Sequence, residues 1–107
     1  MRGSLGGLMQ QAQKMQDDLR RAQEEIANIE VQGQAGGGMV RVTLNGRHQA
    51  RRVVIERTLL TDDPEMLEGL ITAAFNDAVN RVAEATASKM GEVAGGFDLP
   101  PGFKLPF

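Results

Sequence analysis

The arginines of this 107-residue chain are concentrated in one segment. Between Arg41 and Arg57 there are five arginines and one acidic residue, a local net charge of +4 with His48 neutral. Guanidinium groups bind phosphates and carboxylates through paired hydrogen bonds. The whole chain has a net charge of −2 and a pI of about 5.3, whereas a protein surrounded by phosphate contacts is usually basic. The basic segment is therefore local, and its acidic neighbours oppose it.

No set of residues is typical of a catalytic centre. The chain has no cysteine, one histidine (His48) and two serines, Ser4 and Ser88, neither in the sequence context of a nucleophile. We interpret His48 as a partly exposed strand residue. The glycine-rich run 33–38 lacks the lysine and serine or threonine of a phosphate-binding loop, so it is interpreted as a flexible connection between strands. We expect no enzymatic activity, no cofactor and no small-molecule substrate.

Four carboxylates lie close together at Asp62, Asp63, Glu65 and Glu68. Such a group could hold a metal ion. The start of a helix explains it without metal, because an aspartate can cap the helix, Pro64 suits the first helical position, and acids favour the positive helix end. We expect a helix start here and no metal site.

The spacing of apolar residues predicts the elements that position these groups. An uninterrupted heptad stripe predicts a helix over residues 5–28; its members are Leu5, Leu8, Ala12, Met15, Leu19, Ala22, Ile26 and Ile29. Alternating patterns predict strands at about 29–34, 39–44 and 47–55. A second long helix is predicted over 64–93, followed by a tail at 97–107 that is rich in proline and phenylalanine. Together they predict one α+β domain over residues 1–107, two long helices flanking a three-stranded antiparallel sheet.

The hairpin at Asn45-Gly46 has two possible registers. A two-residue turn places arginines on the apolar face of the sheet. One additional turn residue, with Gly46 in a left-handed conformation, places His48 and Ala50 there instead. Ala50 and Val53 are three residues apart and cannot share a face of a regular strand. We therefore expect an irregularity near Arg51-Arg52.

The predicted helices are longer than the sheet. Helices of 24 and 30 residues span about 36 and 45 Å, whereas strands of six to eight residues span about 20–27 Å. The overhanging parts carry apolar residues that need cover, and we expect a second copy of the chain to provide it. The predicted dimer interface consists of Leu5, Leu8, Met15, Val82 and Met90. The alternative is a compact monomer whose helices pair beyond the sheet.

The chain resembles the YbaB/EbfC family of bacterial nucleoid-associated DNA-binding proteins over essentially its whole length. The resemblance rests on several motifs in order: the run 8–16 in the first helix, the run 40–46 with His48 and 51–53 in the hairpin, Asp63, 65–68 and 73–78 in the second helix, and 99–104 with 106–107 in the tail. The extreme N-terminus, Arg2-Gly3-Ser4, is not diagnostic.

This resemblance implies a homodimer whose long helices project from a central sheet region like tweezer arms. It also implies binding of double-stranded DNA in the cytoplasmic nucleoid, a change in DNA conformation and an influence on gene expression. No apolar run approaches the roughly 20 residues of a membrane span, and we expect no membrane partner.

Two sets of basic residues compete as DNA contacts. The sheet set consists of Arg41, Arg47, Arg51 and Arg52. The helix set consists of Lys14, Arg20, Arg21, Arg81 and Lys89. Electrostatics favours the sheet set, because many acids accompany the helix set, whereas the tweezer analogy favours the helix set. Either set could instead be ordinary solvated charge. A second hypothesis is a protein-interaction adaptor dimer with weak or incidental DNA binding, which the acidic pI keeps open.

Overall fold

A computed structural model of the protein describes residues 2–95, with side chains from Leu5 onward. Along the chain lie α1 (Arg2–Asn28), β1 (Glu30–Ala35), β2 (Val40–Asn45), β3 (Ala50–Ile55), α2 (Arg57–Asp62) and α3 (Pro64–Gly95). The predicted α+β order, with three antiparallel strands between long helices, is confirmed. The structure adds α2, which the sequence did not predict, and β3 begins later than predicted. The predicted tail at 97–107 lies outside the described residues.

The sheet contains a bulge between β2 and β3. β2 is the central strand, and it pairs with β1 over all six residues. On its other side, Leu44 lies opposite Ala50. The next pair is Thr43 with Arg52, which leaves Arg51 as an extra residue in β3. The irregularity that the sequence predicted near Arg51-Arg52 is therefore confirmed.

Residues 46–48 form the loop of the β2–β3 hairpin, one residue longer than a two-residue turn. The Asn45 N–H donates to the carbonyl oxygen of Gln49 at 3.0 Å. The Asn45 side-chain oxygen accepts the backbone N–H groups of Arg47 at 2.9 Å and Gln49 at 3.0 Å. The left-handed residue is His48, with a φ of 63°, so the prediction of that conformation at Gly46 is wrong. The asparagine side chain, rather than a left-handed glycine, organises this turn.

Gly46 is required by a close approach. A Cβ atom there would lie 1.6 Å from the carbonyl oxygen of Ile26. The Gly46 N–H donates to the carbonyl oxygen of Ile29 at 3.1 Å. The end of the hairpin therefore packs directly against the end of α1.

α3 covers one face of the sheet, which we call the inner face. The core consists of Val40, Val42, Leu44, Leu59, Ala74, Ala78 and Val82. A Cβ atom on Gly33 of β1 would lie 2.3 Å from the backbone nitrogen of Ala78, so the two backbones are nearly in contact. α3 does not cover β3. Val53 of β3 lies on the same face as its partner Val42, yet its side chain is 43% exposed.

The start of α3 follows the sequence prediction. The carboxylate of Asp63 accepts the backbone N–H of Met66 at 3.0 Å. Pro64 occupies the first helical position, and Glu65 lies in the first turn. Asp63 is therefore the N-cap of α3.

Only the C-terminal half of α1 packs against α3. Ala22 and Ile26 are buried, and Glu25 forms an ion pair with Lys89. Asp18 and Val93 line the same groove, so the helices run antiparallel. Residues 5–16 of α1, which we call the arm, extend beyond this contact.

The arm makes the molecule elongated. Its dimensions are 75 × 24 × 16 Å, and its radius of gyration is 20.2 Å, against about 13 Å for a compact domain of 100 residues. Within residues 2–95, no helix combines the length and apolar character needed to span a bilayer.

Candidate nucleic-acid interface

The face of the sheet opposite α3, which we call the outer face, is largely polar. Its register positions are Glu30, Gln32, Gln34, Arg41, Thr43, Asn45, Arg52 and Val54. Paired residues of antiparallel strands lie on the same face, and successive residues alternate between faces. Six of these residues, Glu30, Gln32, Gln34, Arg41, Arg52 and Val54, are exposed. The outer face is thus a solvent-accessible surface with two arginines and one acid.

Arg41 and Arg52 are diagonal neighbours on the outer face. Arg41 pairs with Val54, and Arg52 pairs with Thr43 one step along the strands, which puts the backbones of the two arginines about 7–8 Å apart. The Arg41 Nε donates to the carbonyl oxygen of Gly38 at 3.2 Å, which orients the guanidinium. Neither arginine forms an ion pair within residues 5–95. Neither guanidinium is therefore offset by a carboxylate partner in the described part of the chain.

The other two arginines of the sheet set share a polar cleft at the hairpin end of the sheet. The cleft has a volume of about 310 Å³ and is lined by Ala27, Asn28, Glu30, Asn45, Arg47, Gln49 and Arg51. Arg47 is in the loop and Arg51 is the bulge residue, so neither follows the regular alternation of a strand. Glu30 is the single acid in the wall, and it forms no ion pair with either arginine.

On the helices, two predicted contact residues are paired with acids one turn away. Arg20 lies 3.8 Å from Asp17. The Arg81 Nε donates to the carboxylate of Asp77 at 3.1 Å. The same carboxylate accepts the backbone N–H of Gln34 at 3.0 Å. The hydrogen bond from Gln34, followed by that from Arg81, lowers the pKa of Asp77 below its ordinary value near 3.8.

Lys89 is paired even more completely. It contacts Glu25 across the helix pair and Glu92 at 3.6 Å on its own helix. The hydrogen bond to Glu25 is the main cause that raises the pKa of Lys89. Lys14 and Arg21 form no ion pair within residues 5–95. Three of the five helix-set residues are therefore neutralised locally, unlike any residue of the sheet set.

The residues predicted for the dimer interface lie in three different environments. Val82 is 1% exposed inside the core of a single chain, so it offers no surface to a partner, because α3 packs it against the sheet. Met15 and Met90 are half-buried. Leu5 and Leu8 are 65% and 64% exposed on the arm.

The remaining candidate residues have structural positions. His48 is an exposed loop residue. Asp63 caps α3, and the described part of the chain contains no cluster of three or more potential metal ligands. Arg57 belongs to the basic segment 41–57 but not to the sheet set. It is exposed at the start of α2 without an ion pair among the described residues.

Comparisons with known proteins agree with the resemblance found in the sequence. The model of the YbaB/EbfC DNA-binding family matches residues 1–97. Among solved structures, the chain is similar to the uncharacterized protein HP0035 from Helicobacter pylori, with a TM-score of 0.67 and 27% sequence identity. The match covers 85% of this chain and 94% of that chain.

Proposed function

The chain belongs to the YbaB/EbfC DNA-binding family, and from this premise we propose that it works as a homodimer that binds double-stranded DNA with little sequence specificity. In this proposal it acts in the cytoplasmic nucleoid without catalysis. It alters the conformation of the DNA and thereby influences gene expression.

One observation carries the assignment of the DNA-binding surface: the sheet set is free of ion pairs among the described residues, whereas most of the helix set is paired. Affinity for DNA comes mainly from lysine and arginine that displace counterions from phosphates. A cation already paired with an acid contributes less to this displacement. Arg41, Arg47, Arg51 and Arg52 are therefore the proposed phosphate contacts.

The dimensions of this surface suit a phosphate backbone. The four residue steps from Arg41 to Asn45 cover about 13 Å, and Arg47 lies beyond them in the loop. DNA presents a charge about every 3.4 Å of axis along each strand, so the set can reach several phosphates. Flexible side chains on a sheet contact phosphates without reading bases, because sequence is read by side chains that enter a groove. This supports binding with little sequence preference.

The second copy is proposed to pair through β3. The opposite edge of the sheet, β1, is partly occupied, because the backbone N–H of Gln34 donates to the carboxylate of Asp77 in α3. In β3 every residue except Ile55 is exposed, and Val53 and Val54 are 43% and 40% exposed on opposite faces. An uncovered edge with apolar residues is a template for a second strand. Pairing two such edges would place two outer faces in one dimer, and two separated contacts could bend a duplex between them.

A titration with matched charge variants tests this assignment. Arg41→Ala with Arg52→Ala removes two positive charges from the outer face, and Lys14→Ala with Arg21→Ala removes two from α1. We expect the first pair to weaken binding of a short duplex. It should also flatten the salt dependence, by about 0.9 in log–log slope for each phosphate that the protein no longer neutralises. The second pair should leave both the affinity and the slope nearly unchanged.

The opposite ranking would assign the DNA contact to α1. If neither pair changes binding, Arg41, Arg52, Lys14 and Arg21 are excluded as the main contact. If the folded wild-type protein does not bind DNA even at low salt, DNA binding itself is contradicted and the adaptor hypothesis is favoured.

A further inference from the structure

The polar cleft at the hairpin end of the sheet contains two arginines without an acidic partner. Arg47 of the β2–β3 loop and Arg51 of β3 both line it, and neither forms an ion pair within residues 5–95. Glu30 is the single acid in its wall, so two positive side chains line the cleft with one negative side chain. The cleft is therefore a concave surface with an excess of positive charge.

The backbone around the cleft is fixed by local structure. The bulge between β2 and β3 makes Arg51 an extra residue, and a bulge redirects a side chain from the regular alternation of a strand. The side-chain oxygen of Asn45 accepts the backbone N–H groups of Arg47 and Gln49. The side-chain nitrogen of Asn45 in turn donates to the side-chain oxygen of Gln49 at 2.8 Å. The loop is thus organised before any ligand binds, which lowers the entropic cost of binding.

We propose that this cleft binds a phosphate monoester whose phosphate is held by Arg47 and Arg51. The two guanidinium groups come from the loop and from β3, and the three terminal oxygens of a tetrahedral phosphate can accept from both. A planar carboxylate pairs with one guanidinium at a time. The charge of a monoester approaches about −2 above a second pKa of about 6, so it can offset both arginines. The inference extends the proposed function, because both arginines are also proposed DNA contacts.

The other lining residues favour a ligand with hydrogen-bonding groups beside its phosphate. Asn28, Asn45 and Gln49 contribute side-chain amides to the wall. The carboxylate of Glu30 can accept an N–H or O–H group of the ligand. The volume of about 310 Å³ is at the lower end of the range of ligand pockets, about 300–1,000 Å³. A nucleoside monophosphate or a sugar phosphate has this combination of size and groups, and the 5′-phosphate at a DNA end presents the same chemistry.

An NMR titration of the full-length, isotope-labelled chain with adenosine monophosphate tests the cleft in the absence of DNA. We expect saturable shifts of the backbone amide signals of Arg47, Gln49 and Arg51. Adenosine, which lacks the phosphate, should cause no such shifts. Succinate, a dicarboxylate of similar charge, should bind at least about tenfold more weakly than the monophosphate. Absent shifts with the monophosphate, or equal binding of succinate, would overturn the proposal.

Matched charge variants test whether the two arginines hold the phosphate. Arg47→Ala with Arg51→Ala should weaken binding of adenosine monophosphate by at least about tenfold, because each removes charge-assisted hydrogen bonds. Lys14→Ala with Arg21→Ala removes the same charge from α1 and should leave this binding unchanged. Equal losses from the two pairs would show general electrostatic attraction and overturn the proposal. Both cleft arginines are exposed, so the variant should fold, and unchanged amide signals from β1 verify that it does.

Two duplexes that differ only at their ends separate the two sources of a phosphate monoester. If DNA ends occupy the cleft, a duplex with 5′-phosphates should bind more tightly than one with 5′-hydroxyls. Equal binding of the two duplexes would assign the cleft to a small phosphorylated molecule. This inference and the proposed function can fail separately. Binding of the monophosphate without binding of any duplex would contradict the proposed function alone, and the reverse result would contradict this inference alone.

Discussion

At the scale of single residues, two glycines set how closely the elements approach. Gly33 lets the backbone of β1 lie against α3, and Gly46 lets the hairpin lie against the end of α1. In both cases the nearest atoms belong to the backbone, which cannot rotate away as a side chain can. These positions therefore tolerate no Cβ atom without a shift of a whole element.

Gly33→Ala is expected to destabilise the fold by about 1–3 kcal/mol, because overpacking at a rigid contact displaces backbone. The Cβ would lie 2.3 Å from the backbone nitrogen of Ala78, so α3 must lift from the sheet. Denaturant unfolding measures the change. Gly69→Ala is the control, since a Cβ there meets nothing within 4 Å and alanine favours a helix. A Gly33 variant as stable as the control would refute the close packing of β1 and α3.

The lowered pKa of Asp77 leads us to expect that the stability of the fold depends on pH in the acidic range. Folding lowers the pKa of Asp77. The ionised carboxylate therefore stabilises the fold fully at pH values above its ordinary pKa near 4. This stabilisation is lost as the pH falls through the lowered pKa of the folded state. Asp77→Asn should therefore be less stable than wild type at pH 5.5, and the difference should shrink at pH 2.5. Urea midpoints at the two pH values provide the comparison. A difference that stays constant would mean that the charge of Asp77 does not stabilise the fold.

The sequence could predict the bulge but not the conformation of the turn. The bulge follows from the spacing of Ala50 and Val53, which no regular strand can place on one face. The role of Gly46 depends on Ile26, twenty residues away, which no local pattern reveals. Glycine in a turn usually indicates a positive φ, but here His48 has the positive φ and the side chain of Asn45 organises the turn.

At the scale of elements, the long apolar stripes in the sequence predicted the two long helices, whereas the short helix α2 could not be predicted. The stripes of α1 and α3 extend over several turns, so their periods are evident. α2 has six residues, too few for a period, and Leu59 is its one buried residue. For the candidate site, charge counting singled out the segment that we propose as the DNA contact, but only the structure revealed that Asp17, Asp77 and Glu25 pair with three of the five helix-set residues.

The uncovered edge of β3 yields a prediction about assembly. Val53→Lys should convert the proposed dimer to a monomer, because a lysine on an edge strand opposes pairing with another edge. Because the Val53 side chain is 43% exposed, we expect the single chain to fold with a lysine at this position. Light scattering measures the mass. Val79→Lys, at a position 41% exposed on α3, is the control and should leave the mass unchanged. A dimeric Val53 variant would exclude β3 as the interface.

At the scale of the whole molecule, assembly and DNA binding are linked if two outer faces act on one duplex. Two linked contacts bind far more tightly than either alone, by a factor of about 10²–10⁴. Val53→Lys should therefore weaken binding to a 40-base-pair duplex by at least about tenfold, even though it adds a positive charge. Val79→Lys adds the same charge to an intact dimer and should bind at least as tightly as wild type. Fluorescence anisotropy at fixed salt distinguishes these outcomes. If a monomeric Val53 variant binds as tightly as wild type, one outer face is sufficient, and the dimer must serve another purpose.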